Sequence, residues 1–157
     1  MKLYHYTSVY QLGLIMQSRE IRLSPSNLMR PKNPRLVDID GIQTFIDETD
    51  TIKPVVWLTT FLDFDRAVEC GVSEGKTECA IVIDDADKNV FKKWDKWAIA
   101  NGIEKAWFNT LKQTAPLWRS FYVSEQPIVI PEKGIPVLFR PDVAEKLDLA
   151  NWRKNGA

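Results

Sequence analysis

"LYHYTS", residues 3–8, opens the chain's first structured stretch and carries its only histidine, His5. Alternation puts Leu3, His5 and Thr7 on one face of a strand, with Tyr4 and Tyr6 on the other. Ser8 is suited to cap a helix, because its hydroxyl can accept from an unpaired first-turn N–H. Val9, Leu12, Ile15 and Met16 then recur at helical spacing over about ten residues. "EIRLS" (20–24) reads as a short strand that Pro25 ends.

Further strands follow without regular helical alternation. "PVVWLTT" (54–60) and "ECAIVID" (78–84) are strands, and "WRSFYVSEQPIVIP" (118–131) is one or two, with Pro127 marking a bulge or edge. "IPVLFR" (135–140) is another. Asp63 or Asp65 can cap a short helix running to Cys70. Residues 87–113 read as helical and aromatic-rich, broken near Asn101-Gly102. Residues 141–150 read as a terminal helix, with Pro141 at its start and Asp142 in its first turn. Residues 25–53 lack clear periodicity; basic Arg30, Lys32 and Arg35 precede acidic Asp38, Asp40, Asp47, Glu48 and Asp50, so this long loop is either functional or a solvated insertion. With strands outnumbering helices, the expected class is α+β.

Length and composition bound the rest. The 157 residues suggest one domain, 1–157, large enough to bury a core. No apolar run reaches the roughly 20 residues of a membrane span, and no secretory signal is apparent. Two cysteines, Cys70 and Cys79, make no disulfide framework, so a reduced cytoplasmic setting is expected. The formal net charge of zero gives no bulk attraction for nucleic acid, though a local basic patch is compatible with it. Of the six tryptophans, Trp94, Trp97 and Trp107 fall in the helical region and are expected in the core, whereas Trp57 and Trp118 stand in strand-like contexts.

One histidine and two distant cysteines argue against a zinc site, and no metal is expected. The seven glycines are scattered and form no phosphate loop. No serine sits in a nucleophile turn. The polar residues left on strands are His5 and Thr7, Thr59 and Thr60, and Ser124 and Glu125. Alternation puts Arg119, Phe121, Val123 and Glu125 on one strand face. If that face points inward, Glu125 is a buried carboxylate that needs a partner; at an edge it is a solvated residue before a turn. His5 alone is more often core packing than a ligand.

Three of these stretches, taken in order, resemble a known family. "LYHYTS" with its amphipathic helix and "REIRLSP", "VVWLTT" followed by "FDRAVEC", and "YVSEQPIVIP" resemble the motifs of ADP-ribosyltransferases of the diphtheria-toxin and poly-ADP-ribose-polymerase type. The three span residues 3–131.

The resemblance implies two small packed β-sheets with peripheral helices and a cleft for NAD, the ADP-ribose donor. It implies that His5 binds the adenosine ribose, that Tyr6 and Thr7 hold the nicotinamide end, that Trp57 stacks on the nicotinamide ring with Thr59 beside it, and that Glu125 is catalytic. Glu125 would bind the 2′-hydroxyl of the nicotinamide ribose and stabilise positive charge on that sugar. Arg22, Arg30 or Arg35 would meet the pyrophosphate. Val68 stands where the family often has a second tyrosine, leaving the aromatic sandwich to Trp118 or Tyr122. Val123 stands where relatives that modify arginine or asparagine carry Glu or Gln. The implied function is ADP-ribosyl transfer to a macromolecule, protein or nucleic acid, as by a toxin or a phage or bacterial effector. NAD glycohydrolysis and RNA 2′-phosphotransfer are alternatives on the same fold. A non-catalytic interaction protein, with the acidic 37–50 stretch and the exposed aromatics as its contact surface and His5 and Glu125 packed separately, is the alternative from a different class.

Overall fold

A computed structural model describes residues 1–24, 35–46, 54–70, 72, 74–103 and 105–147. The strands are β1 (Leu3–Thr7), β2 (Glu20–Ile21), β3 (Arg35–Ile39), β4 (Ile42–Ile46), β5 (Val56–Thr59), β6 (Cys79–Ile83), β7 (Phe91–Lys93), β8 (Phe121–Ser124), β9 (Ile128–Val129) and β10 (Val137–Phe139). The helices are α1 (Val9–Ser18), α2 (Trp94–Ala100), α3 (Lys105–Thr114) and α4 (Pro141–Lys146). The class is α+β. One six-stranded sheet runs β10-β6-β1-β5-β8-β7, and β2 pairs with β9 and β3 with β4 in two-stranded ribbons. In place of the two small packed sheets that the resemblance implies, the described residues form one six-stranded sheet and two ribbons, of which β2–β9 packs on the large sheet through Ile21, Ile128 and Ile130.

The register sorts side chains onto the two faces of the large sheet. Leu3 faces Ile83, His5 faces Ile81 and Thr7 faces Cys79 across the β1–β6 ladder. Leu3, Ile81, Ile83, Val56 and Leu58 bury one face against Leu12, Ile15 and Met16 of α1. On the other face Val55, Phe121 and Val123 meet Trp94, Trp97 and Ala98 of α2 and Leu111 of α3. Each such side chain, fully buried, contributes about 1.5–3 kcal/mol.

Local signals explain the element boundaries. Ser8 is the N-cap of α1, and its hydroxyl accepts from Gln11 N–H at 3.1 Å. Ser8→Ala is therefore expected to cost about 1 kcal/mol, read as a lower urea midpoint with unchanged slope. Arg19 closes the helix in the left-handed region, φ 57°. Pro141 opens α4, which ends at Lys146; residues 148–150 of the expected helix lie outside the described residues.

Three expectations are corrected. "EIRLS" pairs as a ladder only at Glu20–Ile21, and Ser24 then forms a separate bridge to Val55. Residues 87–113 break at Asn101-Gly102 as expected, where Gly102 takes φ 70°, but Phe91–Lys93 is an edge strand rather than helix. "WRSFYVSEQPIVIP" is two strands, one of the two readings expected, with Pro127 between β8 in the large sheet and β9 in the ribbon; only Trp118–Ser120 is instead a 3-10 turn. Part of the aperiodic 25–53 stretch is a hairpin, β3–β4, turning on Asp40 and Gly41 with φ 53° and 80°. Those angles suit an Asp-Gly hairpin turn, and Asp38 Oδ1 accepts from Gly41 N–H at 2.8 Å. The rest of that stretch, with Arg30 and the Arg35 side chain, lies outside the described residues, as does the Trp107 side chain.

Candidate functional site

β1 pairs with β6 over five residues, but with β5 only at Tyr4 and Thr59. The partly buried His5 ring, on the same sheet face as Leu3, reaches β5, with Nδ1 2.9 Å from the Trp57 carbonyl oxygen. A carbonyl only accepts, so Nδ1 carries the proton and Nε2 is left as an acceptor. No protein partner for Nε2 occurs among the described residues. Burial, the largest cause, lowers the His5 pKa below its ordinary value, outweighing the bond to Trp57, and Lys76 adds to the lowering. The ring is thus neutral near pH 7, a fixed hydrogen-bond acceptor.

The lowered pKa sets a pH dependence. The unfolded chain takes up the proton near pH 6.5, whereas the folded chain resists it to lower pH. Stability is therefore full above 6.5 and falls as pH drops from 6.5 towards the folded value. The slope approaches about 1.4 kcal/mol per pH unit within that window. Urea midpoints of His5→Asn between pH 7.5 and 5 are expected to lack this component; parallel curves for wild type and variant would refute it.

The neighbours of His5 on β1 are tied into the fold. The Tyr6 hydroxyl donates to the Phe61 carbonyl and accepts from Asp63 N–H, at 2.9 and 3.0 Å. Thr7 is buried, and its carbonyl accepts from the Cys79 thiol at 3.3 Å. Burial, with Glu78 nearby, pushes that thiol up to about 12, which makes Cys79 a poor nucleophile. Asp63 Oδ1 accepts from Asp65 and Arg66 N–H, an Asx turn leading into a 3-10 turn at Ala67–Cys70. Val68 is exposed there.

Trp57 and Thr59 do not join His5. The register pairs Tyr4 with Thr59 and Trp57 with Val123, which puts both side chains on the sheet face opposite His5. The Trp57 ring packs against Trp94 and edge-on to Phe121, with centroids 6.3 and 5.9 Å away. The Thr59 hydroxyl donates to Ser120 Oγ at 2.8 Å and accepts from Phe61 N–H. Trp118 faces α2 rather than His5. Arg22 is exposed just past β2.

Glu125 follows β8, one residue beyond buried Ser124. Trp97 Nε1–H donates to Glu125 Oε1 at 2.8 Å, so α2 aims the carboxylate. It borders an open depression of about 730 Å³ lined also by Lys88, Lys92, Lys93, Lys96, Asn101 and Tyr122. The separation from His5 follows from the register: two strand spacings sideways and three residues along give roughly 14 Å between Cα atoms.

Trp97 is in the core as expected, but its bond to Glu125 and the four lysines escaped the sequence reading. The run "KNVFKKWDK" (88–96), with four lysines against one aspartate, was the available signal. Among the described residues no group of three His, Cys, Asp or Glu side chains is placed to hold a metal ion, and no helix is long and apolar enough to cross a membrane. Compared with models of protein families, with curated proteins and with solved structures, the chain matches none.

Proposed function

We propose that the chain is an NAD-dependent ADP-ribosyltransferase. The observation that carries this reading is His5: a neutral ring, tautomer fixed by the Trp57 carbonyl, with Nε2 left as an acceptor. A ribose hydroxyl is a donor such an acceptor suits. Glu125 supplies the second need, a carboxylate held in place by a hydrogen bond from Trp97. In the reaction the bond from ribose C1′ to the nicotinamide nitrogen breaks, and its electron pair leaves with neutral nicotinamide. The acceptor's nucleophile bonds to C1′ and loses its proton to Glu125 or to water. Glu125 stabilises the positive charge that gathers on the sugar in between, and does so more than in the ground state, as catalysis requires.

In this reading His5 binds the adenosine ribose and Glu125 acts at the nicotinamide ribose. In the structure the two side chains project towards opposite faces of the sheet, which counts against a single ligand touching both. Neither Trp57 nor Thr59 has a part in this reading; each is engaged in internal packing or hydrogen bonds.

The test is calorimetric titration of NAD into the protein, with nicotinamide release followed in parallel for wild type and His5→Ala. NAD binding lost in His5→Ala is expected. Free ADP-ribose as the only product would turn the reading to hydrolysis. Absence of both binding and release would sink it.

A further inference from the structure

We infer that the depression beside Glu125 is a docking site for a single nucleic-acid strand. Its rim is cationic although the chain as a whole is neutral. Lys92 and Lys93 stand on β7, which has no strand on its outer side in the large sheet. Lys88 precedes them in a turn and Lys96 follows in α2. All four line the depression and all are exposed. None of their ammonium groups forms an ion pair among the described residues. Nearby Asp87 and Asp95 accept instead from the backbone N–H groups of Asn89 and Lys96.

Lysine on an edge strand also deters strand addition by another chain. Edge protection does not account for Lys88 and Lys96, which lie off the strand yet line the same hollow. It also leaves unexplained the polar wall behind them. That wall combines the Glu125 carboxylate with Asn101, whose Nδ2 donates to the Trp97 carbonyl and leaves Oδ1 as an acceptor. Phosphates suit the lysine rim, and the hydroxyl and amino donors of sugars and bases suit the wall. A nucleic-acid strand brings a phosphate on every nucleotide for the lysine rim and sugar and base donors for the wall, so charge complementarity favours it over an acidic peptide. As a nucleic-acid site the depression stands by itself; as the place where the ADP-ribose acceptor docks it rests on the function proposed above.

The experiment is fluorescence anisotropy with labelled single-stranded 12-nucleotide DNA and RNA of mixed sequence, without NAD. Wild type is compared with Lys92→Glu/Lys96→Glu and with a charge-matched control, Lys133→Glu/Lys146→Glu, whose lysines lie outside the depression. If four phosphates are neutralised, affinity should fall roughly 50-fold between 50 and 200 mM salt, since each contact adds about −0.7 to the logarithmic slope. The depression variant should bind at least about tenfold more weakly with a slope shallower by about 1.4, the control like wild type. No binding at 50 mM salt, equal loss in both variants, or equally tight binding of a labelled poly-glutamate peptide would overturn the proposal. Because NAD takes no part, failure here leaves the ADP-ribosyl reading standing, and the converse holds too.

Discussion

Glu125→Gln is expected to lower the rate of nicotinamide release from NAD by about 10²–10³ while NAD affinity changes only a few-fold. Glutamine is the informative substitution. Its amide oxygen can still accept from Trp97 Nε1–H, now 2.8 Å from Glu125 Oε1, so the indole is not orphaned. Only the negative charge is lost. Alanine would remove charge and tether together and confuse catalysis with local packing. A carboxylate that acts on the developing sugar cation should show its loss in kcat, with KM nearly steady. If Glu125→Gln keeps near-wild-type turnover, Glu125 serves only to fix α2, and the catalytic assignment fails.

Trp94→Ala is expected to destabilise the fold by about 3–5 kcal/mol, the largest effect of any single truncation proposed for this chain. Trp94 is 1% exposed and central to the aromatic cluster. Phe108 stacks on it at 5.0 Å, while Trp57, Trp118 and Phe121 surround it at 6.3–6.5 Å. For a chain of this length the thermal midpoint should fall by roughly 10 °C. Among the described residues the buried Trp94 indole N–H has no hydrogen-bond partner, and isolating such a group costs about 1–3 kcal/mol. Trp94→Phe removes that group as well as some volume, so its loss should be under half that of Trp94→Ala. Equal losses in thermal melts would mean that the indole nitrogen does have an acceptor.

Much of the sheet was legible because its strands announce themselves. "LYHYT" alternates, "ECAIVID" is continuously apolar, and Ser8 and Pro141 mark helix starts by chemistry that needs no tertiary partner. The Asp40-Gly41 turn was equally local in character but went unread, because prolines and charges on either side masked the hairpin. Face assignment was harder. Alternation correctly put Leu3, His5 and Thr7 together, yet it cannot say which face of β1 matches which face of β5. That is a matter of register, and register put Trp57 opposite His5. The Glu125 partner was illegible for a similar reason. Trp97 lies 28 residues away in sequence and reaches Glu125 only because α2 packs across β8.

The single register pair joining β1 to β5 also makes the large sheet two three-stranded blocks with a soft seam. One block is β10-β6-β1, the other β5-β8-β7, and each is knit by ladders of at least three pairs. Local opening favours the route with the fewest hydrogen bonds to break, and here that is the seam, even though Leu3, Ile81, Val56 and Leu58 share one core across it. Amide hydrogen exchange should therefore be ranked by strand. Protection at β6, between two long ladders, should approach that of global unfolding. Amides of β1 and β5 that face the seam should exchange sooner, on the same polypeptide and at the same depth in the fold. The protein would then breathe along the line on which His5 sits.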